Sequence, residues 1–500
     1  MTEIRVEHGD IQAVAADTCV VNLFEGVKRP GGGTGAVDRA LGGAISDAIA
    51  AGDITGKWGE LRVIYTLGRI PARRVLVAGL GKSREFTLDR VRDLAANVAR
   101  ELRRLGGPPQ ADATTIVHGA GIAQLPTEGC AEAIAEGTLL GLYRFTAHRK
   151  PKNDEHQLAV LTIVERDAAK LDGVRRGVER GRVIAEAQNF ARDLANEPAN
   201  VLTPTELARR AGEACQAVGV AFEAYDRGWM ETKLMGSLLG VAAGSHQPPV
   251  VIVIEYRGDP DSPRVTGLVG KGITFDTGGI SIKPAENMQE MKGDMAGGGA
   301  VIATLVALGR LKPRINVIGI VPATENMPGG AATRPGDVLR AMDGTTIEVI
   351  NTDAEGRLIL ADGLCYARER GCSPILDVAT LTGAVSVALG DLAFGLMSNH
   401  EGTLEAVRGA AEAAGERCWP LPMWSEYAEQ LKSEVADLKN TGGRRAAAIT
   451  AAHFLKHFAG DTPWVHLDIA GVDTYDRESG ITVKGASGIP VRTLIEFLTR

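Results

Sequence analysis

The chain has 500 residues, of which 44% are hydrophobic and 23% charged, as in ordinary globular proteins rather than disordered or fibrous ones. This length exceeds what one simple core normally supports, so we expect two domains. The formal net charge of −7 argues against a general electrostatic attraction to nucleic acid, although it does not exclude a local basic patch.

The cysteines and the N-terminus indicate the cellular compartment. The six cysteines are scattered, and no pair has the Cys-x-x-Cys spacing of a metal or redox motif. Residues 1–8 are charged and lack the apolar core of a secretory signal. The longest apolar runs are shorter than a membrane span. We therefore expect a cytoplasmic protein with free thiols and no membrane association.

Residues 1–165 alternate short strand patterns with helical ones, which predicts a smaller N-terminal α/β domain with an oligomerisation or regulatory role. The helical pattern is clearest at 88–105. Two glycine clusters, at 31–35 and 79–82, could each cradle a phosphate, but turns are the commoner use of such clusters. The polar segment 149–155 predicts an exposed turn, and a linking helix is expected within 166–198.

Residues 199–500 predict a larger C-terminal domain in which strands and helices alternate. The pattern favours a mixed, largely parallel sheet sandwiched between helices. The predicted buried strands are 250–255, 265–270, 316–321, 346–351, 375–380 and 465–469.

The most informative segment of this domain is 351–358, Asn-Thr-Asp-Ala-Glu-Gly-Arg-Leu, which lies between a predicted strand and a predicted helix. Ligands of open α/β sheets bind where strands end in this way. Asp353 and Glu355 are two residues apart, and in an extended segment their side chains would point the same way, as in a cation site. Thr352 and Glu355 also fit a helix capping box, and this segment alone leaves the two interpretations at even odds.

A second segment, 265–300, has similar features. The predicted strand 265–270 is followed by Lys271, Asp276 and Lys283 in a glycine-rich loop. Asp294 then precedes a helix of very small residues, 296–300. Gly278-Gly279 could simply form a tight turn, and Lys271 alone could be an exposed lysine. The glycine–lysine spacing does not match a phosphate-binding P-loop.

Together these motifs resemble the leucine aminopeptidase (cytosol aminopeptidase) family of dinuclear metallopeptidases. The family's signature octapeptide is complete at 351–358, and 269–283 matches its other diagnostic motif. The similarity is clear from about residue 185 to the end and weak before it. Three further segments also fit: 196–204, 379–384 and 464–471.

The resemblance implies a metal-dependent aminopeptidase that releases Leu and other N-terminal residues from peptides. It implies that Asp276 and Glu355 bind both of two divalent ions, that Asp353 binds one, and that Lys271 and Asp294 bind the other. Oxygen ligands suit Mn or Mg and also accept Zn or Co. Lys271 would have to bind its ion as a neutral amine.

The resemblance also implies the catalytic groups. Lys283 would stabilise the oxyanion, and Arg357 would hold a bicarbonate that acts as the general base. Gly356 would let the backbone approach that anion. A homohexamer is implied as well. The residues expected to line the pocket for the first side chain are Met291, Thr380 and Ala470.

Two positions distinguish this chain from the family pattern, and two alternative functions remain open. Gly293 stands where many family members carry a bulkier residue, and Asp473 places an acid near the expected pocket, so the side-chain preference is not defined. Some family members bind DNA or act as regulators, so a bifunctional or regulatory DNA-binding protein is the first alternative. A dinuclear phosphoesterase is the second, although such sites usually include histidine ligands.

Overall fold

The computed structural model describes residues 2–106, 110–120, 125–150 and 156–500, so most of the turn predicted at 149–155 lies outside the described residues. The chain forms two compact units, Met1–Glu186 with Arg477–Val483, and Ala187–Asp476 with Lys484–Arg500. The limits 1–165, 166–198 and 199–500 remain a prediction.

The first unit is built on one sheet, which has six strands among the described residues. They are β1 (Glu3–His8), β2 (Thr18–Phe24), β3 (Leu61–Tyr65), β4 (Arg74–Gly81), β5 (Gln110–Thr115) and β6 (Gln157–Glu165). Their order is β1-β6-β5-β2-β4-β3. All neighbours are parallel except β3, which is antiparallel to β4.

The helices of this unit begin and end where the sequence provides caps. They are α1 (Gly32–Ala40), α2 (Ala44–Ala51), α3 (Leu88–Leu105), α4 (Thr127–Gly141) and the start of α5 (Leu171–Asn196), which extends past the unit boundary. In α3 the Thr87 hydroxyl accepts a hydrogen bond from the backbone N–H of Arg90, and Asp89 lies in the first turn, where the helix dipole favours an acid. This helix matches the predicted range 88–105.

The second unit contains a larger, mixed sheet. The strands of the whole second unit are β7 (Ala221–Tyr225), β8 (Val250–Arg257), β9 (Thr266–Gly270), β10 (Gly272–Asp276), β11 (Asn316–Asn326), β12 (Val338–Arg340), β13 (Thr346–Glu348), β14 (Ile375–Ala379), β15 (Phe394–Ser398), β16 (Cys418–Pro420), β17 (Leu438–Lys439), β18 (Trp464–Asp468), β19 (Thr474–Tyr475) and β20 (Gly485–Ala486). The main sheet has the order β16-β15-β18-β14-β9-β11-β8-β7, and β10 also pairs with β11. The central strands β18, β14, β9, β11 and β10 are parallel.

Helices flank this sheet, as the sequence predicted. They are α6 (Pro204–Val218), α7 (Arg227–Thr232), α8 (Gly236–Ala242), α9 (Ala296–Leu311), α10 (Gly356–Glu369), α11 (Gly383–Leu389), α12 (Glu401–Ala414), α13 (Ala447–Ala459) and α14 (Val491–Thr499). Short 3-10 helices lie at Ile11–Ala13, Ser83–Glu85 and Ala168–Lys170 in the first unit, and at Met288–Gly293 and Ser425–Leu431 in the second. Both α9 and α10 pack on β9, β11 and β14. The two-domain α/β fold class is therefore confirmed.

The small residues of α9 allow this helix to lie directly against the sheet. A Cβ atom added to Gly297 would lie 2.1 Å from the carbonyl oxygen of Val378, and one added to Gly270 would lie 2.6 Å from the Cα of Gly298. Any larger residue would separate the helix from β9 and β14. The glycines thus place the start of α9 beside the carboxyl ends of these strands.

One predicted strand of this unit is wrong in length and in placement. The pattern at 346–351 predicted a strand of the main sheet, but β13 ends at Glu348 and belongs to a separate three-stranded sheet, β12-β13-β17. Residues 349–351 instead leave the strand, and the backbone N–H of Ile350 donates to the Asn440 side chain at 2.8 Å. An apolar β-branched run reports burial, but it does not report which sheet receives the strand.

The stretch Met288–Leu311 is long and apolar enough to cross a membrane by length and composition alone, but 78% of its most apolar window is buried inside the protein. Core helices of globular proteins commonly have this property, so the stretch is weak evidence for a membrane span.

Candidate active site

Lys271 connects three segments of the second unit. It follows β9, where its backbone N–H donates to the Val378 carbonyl at 3.0 Å. Its side chain is only 3% exposed, and Nζ lies 2.7 Å from Asp294 Oδ1 and 2.9 Å from Glu355 Oε1. The same ammonium donates to the Thr380 carbonyl oxygen at 3.0 Å. Lys271 is therefore a buried, fully engaged group, and not the exposed lysine of the plain interpretation.

Asp276 and Lys283 meet because the loop between them folds back on itself. Gly278 and Gly279 have φ angles of +85° and +67°, a region that glycine adopts without strain. The backbone N–H of Lys283 donates to the Thr277 carbonyl at 2.9 Å. As a result Lys283 Nζ lies 2.7 Å from Asp276 Oδ2 and 2.5 Å from Asp353 Oδ1.

The segment 351–355 is a turn rather than an extended strand end. The N-cap of α10 is Glu355, whose side chain makes no capping hydrogen bond. The Thr352 hydroxyl donates instead to the Gly278 carbonyl at 2.6 Å and accepts from the backbone N–H of Ser281 at 2.8 Å. The capping-box interpretation is therefore wrong, because Thr352 binds the neighbouring loop and not the start of the helix.

The acidic groups of these loops converge on one point. Carboxylate oxygens of Asp276, Asp353 and Glu355 all lie within 4.8 Å of one another. Asp294 joins them through Lys271, and its Oδ2, like Glu355 Oε2, is buried without a hydrogen-bond partner among the described residues. Four carboxylates thus face only two ammonium groups, and a buried excess of negative charge favours cations. The donor set fits two divalent ions bound by oxygen ligands.

The electrostatics of the cluster follow from burial and mutual contact. Burial alone would lower the pKa of Lys271, but the carboxylates of Asp294, Glu355 and Asp276 outweigh it and raise that pKa. Burial raises the pKa of Glu355, and the Asp276 charge adds to this effect while Lys271 and Lys283 oppose it. The pKa of Asp294 is raised well above its usual value, first by burial. Burial disfavours the charged form of these carboxylates, and bound cations would stabilise that form.

Arg357 lies in the first turn of α10 and is 5% exposed. One guanidinium nitrogen, Nη1, donates to the Asn440 carbonyl at 2.8 Å, whereas Nε has no partner among the described residues. Burial lowers the pKa of this guanidinium to about 10, so it stays charged at neutral pH. A partly unsatisfied, charged planar group fits the binding of a small planar anion.

Gly356 lies against the side chain of Lys271. A Cβ atom at this position would lie 2.7 Å from Lys271 Cε and 2.8 Å from its Nζ. The glycine therefore makes room for the lysine side chain. An approach of the backbone to an anion is not needed to explain it.

The three predicted pocket residues lie on three different segments. Met291 is partly exposed in the 3-10 helix that ends just before Asp294. The Thr380 hydroxyl follows β14 and donates to Asp294 Oδ1 at 2.7 Å. Ala470 follows β18, and its backbone N–H donates to Asp468 Oδ1 at 3.3 Å.

Two residues that join these segments were missed from the sequence. Asn326 ends β11, and its Nδ2 donates to Asp276 Oδ1 at 2.7 Å and to the Thr352 carbonyl at 3.1 Å. Asp468 ends β18 and accepts from the Thr382 hydroxyl at 2.7 Å and from the backbone N–H of Leu381 at 3.1 Å. Both are polar residues at strand ends, and Asp468 also lies in the segment 464–471 that fits the family motif.

Comparison with known proteins supports one family. The profile of the "Cytosol aminopeptidase family, catalytic domain" matches residues 189–495, and that of the "Cytosol aminopeptidase family, N-terminal domain" matches 20–152. A probable cytosol aminopeptidase of Alkaliphilus metalliredigens is 43% identical, covering 99% of each chain. One of Solibacter usitatus is 46% identical, covering 98% of each chain.

Solved structures agree with these sequence matches. The bottromycin maturation enzyme BotP in complex with Mn superposes with a TM-score of 0.85 at 35% identity, covering 97% of this chain and 99% of that one. A mutant of tomato leucine aminopeptidase superposes with a TM-score of 0.86 at 32% identity, covering 100% of this chain and 97% of that one.

Proposed function

The chain belongs to the cytosol aminopeptidase family and is a hydrolase of the exopeptidase class, and from this premise we propose that it removes Leu and other N-terminal residues from peptides by a two-metal mechanism. The observation that supports the mechanism is the convergence of four carboxylates, three of them buried, on two lysines. The complex of BotP with Mn makes manganese a natural first choice of metal, with Zn, Mg or Co also compatible.

Five residues would hold the metals. In our proposal Asp276 and Glu355 would help to hold both ions, Asp353 would help to hold one, and Lys271 and Asp294 would help to hold the other. Lys271 would give up its proton, because adjacent cations favour a neutral amine. When bound, the two cations would activate a water and polarise the scissile carbonyl, while a bicarbonate would accept the proton of that water.

The remaining chemistry belongs to two side chains. Lys283 is 21% exposed at its side chain, so a substrate can reach its ammonium, which would donate a hydrogen bond to the developing oxyanion. Arg357 would orient the bicarbonate through its guanidinium, whose Nε has no hydrogen-bond partner among the described residues. Thr380 would position Asp294 through the hydroxyl–carboxylate bond and would line the substrate pocket together with Met291 and Ala470.

The proposed activity is tested with metal-stripped protein to which Mn or Zn is restored. We expect cleavage of a panel of aminoacyl amides and short peptides only after metal addition. Peptides with an acetylated N-terminus should resist cleavage, because the exopeptidase reaction requires a free α-amine to approach the metals. Comparable cleavage of acetylated and free peptides would refute the aminopeptidase assignment.

Assembly and location are further parts of the proposal. The family resemblance supports a homohexamer, so light scattering should give a mass near six times 52.6 kDa. A stable and fully active monomer would overturn it. The relatives are named for the cytosol, and we place this chain in the cytoplasm as well.

A further inference from the structure

The two positions at which the chain departs from its family pattern lie against each other. Gly293 ends the 3-10 helix Met288–Gly293 and directly precedes Asp294. A Cβ atom built on Gly293 would have Asp473 Oδ2 as its nearest neighbour in the second unit, at 3.9 Å. Gly293 has no side chain, and the Asp473 carboxylate borders the space that a side chain at position 293 would occupy.

Asp473 belongs to the loop that also contains Ala470. Its Oδ1 accepts a hydrogen bond from the backbone N–H of Gly471 at 3.2 Å, which holds the side chain against its own loop. The start of this loop is fixed by the bond from the Ala470 N–H to Asp468. The carboxylate therefore lies between the Ala470 loop and the 3-10 helix that contains Met291. These are two of the three segments assigned to the substrate pocket.

The Asp473 carboxylate has no cationic partner of its own. Among the described residues no lysine, arginine or histidine lies within 4.0 Å of it. Lys292 is adjacent in the chain to Gly293, but its ammonium donates to the Asn196 carbonyl at 2.9 Å. Burial raises the pKa of Asp473, and the nearby charge of Asp468 adds to this while Lys271 opposes it. A cation brought in by a ligand would relieve this unfavourable state.

The space beside the carboxylate suits a small head group. A cavity of about 20 Å³ is lined by Gly293 and Asp473, together with Asn196 and Lys292. This volume accepts one group of the size of a water molecule. An ammonium group has that size, whereas any side chain at position 293 would occupy the same space.

We propose that Asp473, opposite Gly293, makes the pocket for the first side chain selective for N-terminal residues that bear a positive charge, lysine above all. The inference rests on the proposed aminopeptidase function, since it assigns the substrate class of that same site. Asp473 binds the substrate side chain and takes no part in bond cleavage. A site built to pair a charged group rejects an analogue that lacks it, because its own polar group is then left unpaired.

The test compares lysine with norleucine, which has the same carbon chain without the ammonium group. With Mn-loaded wild-type protein at pH 7.5, kcat/KM for lysine p-nitroanilide should exceed that for norleucine p-nitroanilide by about 10–10³-fold. Asp473→Asn keeps the shape and removes the charge, so the ratio of kcat/KM for lysine to that for norleucine should fall at least about tenfold. Asp473→Leu should reverse the preference. Equal metal content of all three proteins, by elemental analysis, separates specificity from loss of the metal site.

Two results would overturn the inference, and they differ from each other. Norleucine cleaved as well as lysine by the wild type, or a lysine preference that survives in Asp473→Asn, would remove the Asp473 assignment and leave the aminopeptidase function intact. A metal-loaded wild type that cleaves no aminoacyl anilide would overturn the proposed function and this inference with it.

Discussion

His118 in the first unit and Lys271 in the second are both buried, yet their pKa values move in opposite directions. In the first unit His118 is 1% exposed, and its hydrogen-bond partners among the described residues are neutral: Asn22 Nδ2 at 2.9 Å and Thr115 Oγ1 at 3.2 Å. Because the Asn22 amide donates to Nδ1, the ring is a neutral imidazole with its proton on Nε2. Burial lowers the pKa of His118 to about 4.

Lys271 in the second unit is almost as buried, yet its pKa moves the other way, because three carboxylates outweigh the burial. The comparison teaches that burial alone does not decide the charge of a group. The partners that the tertiary structure supplies decide it. At His118 burial excludes a charge, whereas at Lys271 several charged groups meet around one buried point.

The largest expected effect comes from removing one of the carboxylates around Lys271. Glu355→Ala deletes a carboxylate that contacts Lys271 and has a second oxygen without a partner. We expect activity to fall by at least about 10³-fold, because the metals would lose a shared ligand. Elemental analysis should find fewer than two ions per chain. Glu401→Ala, at an exposed position in the first turn of α12, is the matched control and should retain both.

If the Glu355→Ala protein still held two tightly bound metals, Glu355 would not be a ligand. Its contact with Lys271 would then be an ion pair without a role in metal binding.

A smaller effect is expected at Lys283, which contacts Asp276 and is 21% exposed at its side chain. Lys283→Ala should lower kcat by about 10²–10³-fold while both metals stay bound, as for the loss of one oxyanion donor. Steady-state kinetics with metal analysis measures both quantities. A change confined to KM would mean that Lys283 binds the substrate without stabilising the transition state.

A still smaller effect should follow from loosening the carboxylates without removing one. Asn326→Ala breaks the amide bridge from Asp276 to the Thr352 carbonyl. We expect about 10–100-fold weaker metal binding, measured by titration with a competing chelator, and rescue of activity by excess metal.

Asn399→Ala is the matched control for this bridge. Its amide also joins two backbone carbonyls, those of Gly460 and Thr462, at 3.1 and 2.9 Å. It should lose stability but keep metal affinity. Equal affinities in the two variants would show that Asn326 has only a structural role.

The smallest effect concerns His118 and appears only on acidification. Its folded pKa lies below the unfolded value, so its contribution to stability is complete above about pH 6.5 and is lost as the pH falls toward 4. Between pH 7.5 and 5.5 the first unit should lose about 1 kcal/mol from this group. Hydrogen exchange of peptides from residues 110–120 follows that unit separately.

His118→Gln should flatten this pH dependence, and His8→Gln, an exposed histidine of the same unit, should not. An unchanged slope in His118→Gln would mean that the buried ring is not the group that titrates.

The candidate site residues were predicted from short, local motifs, and their roles stay predictions. The segment 351–358 and the loop 271–283 contain their acids, lysines and glycines within a few residues of one another. Helix limits were also local where caps and periodicity agreed, as at 88–105. The prediction of a cation site from Asp353 and Glu355 assumed an extended segment, whereas the segment is a turn. The two carboxylates nevertheless lie within 4.8 Å of each other and of Asp276.

The tertiary structure alone decided how distant segments meet. Asp294 and Glu355 come together on Lys271, and the Thr352 hydroxyl serves the Gly278 loop instead of a helix cap. Only the tertiary structure likewise places β13 in a small separate sheet and Gly293 beside Asp473. Hydrophobic periodicity reports which face of an element is buried, whereas the partner on that face depends on strand order and register across the whole sheet. For this reason the sequence determined which chemical groups are present, and only the folded chain determined which of them face one another.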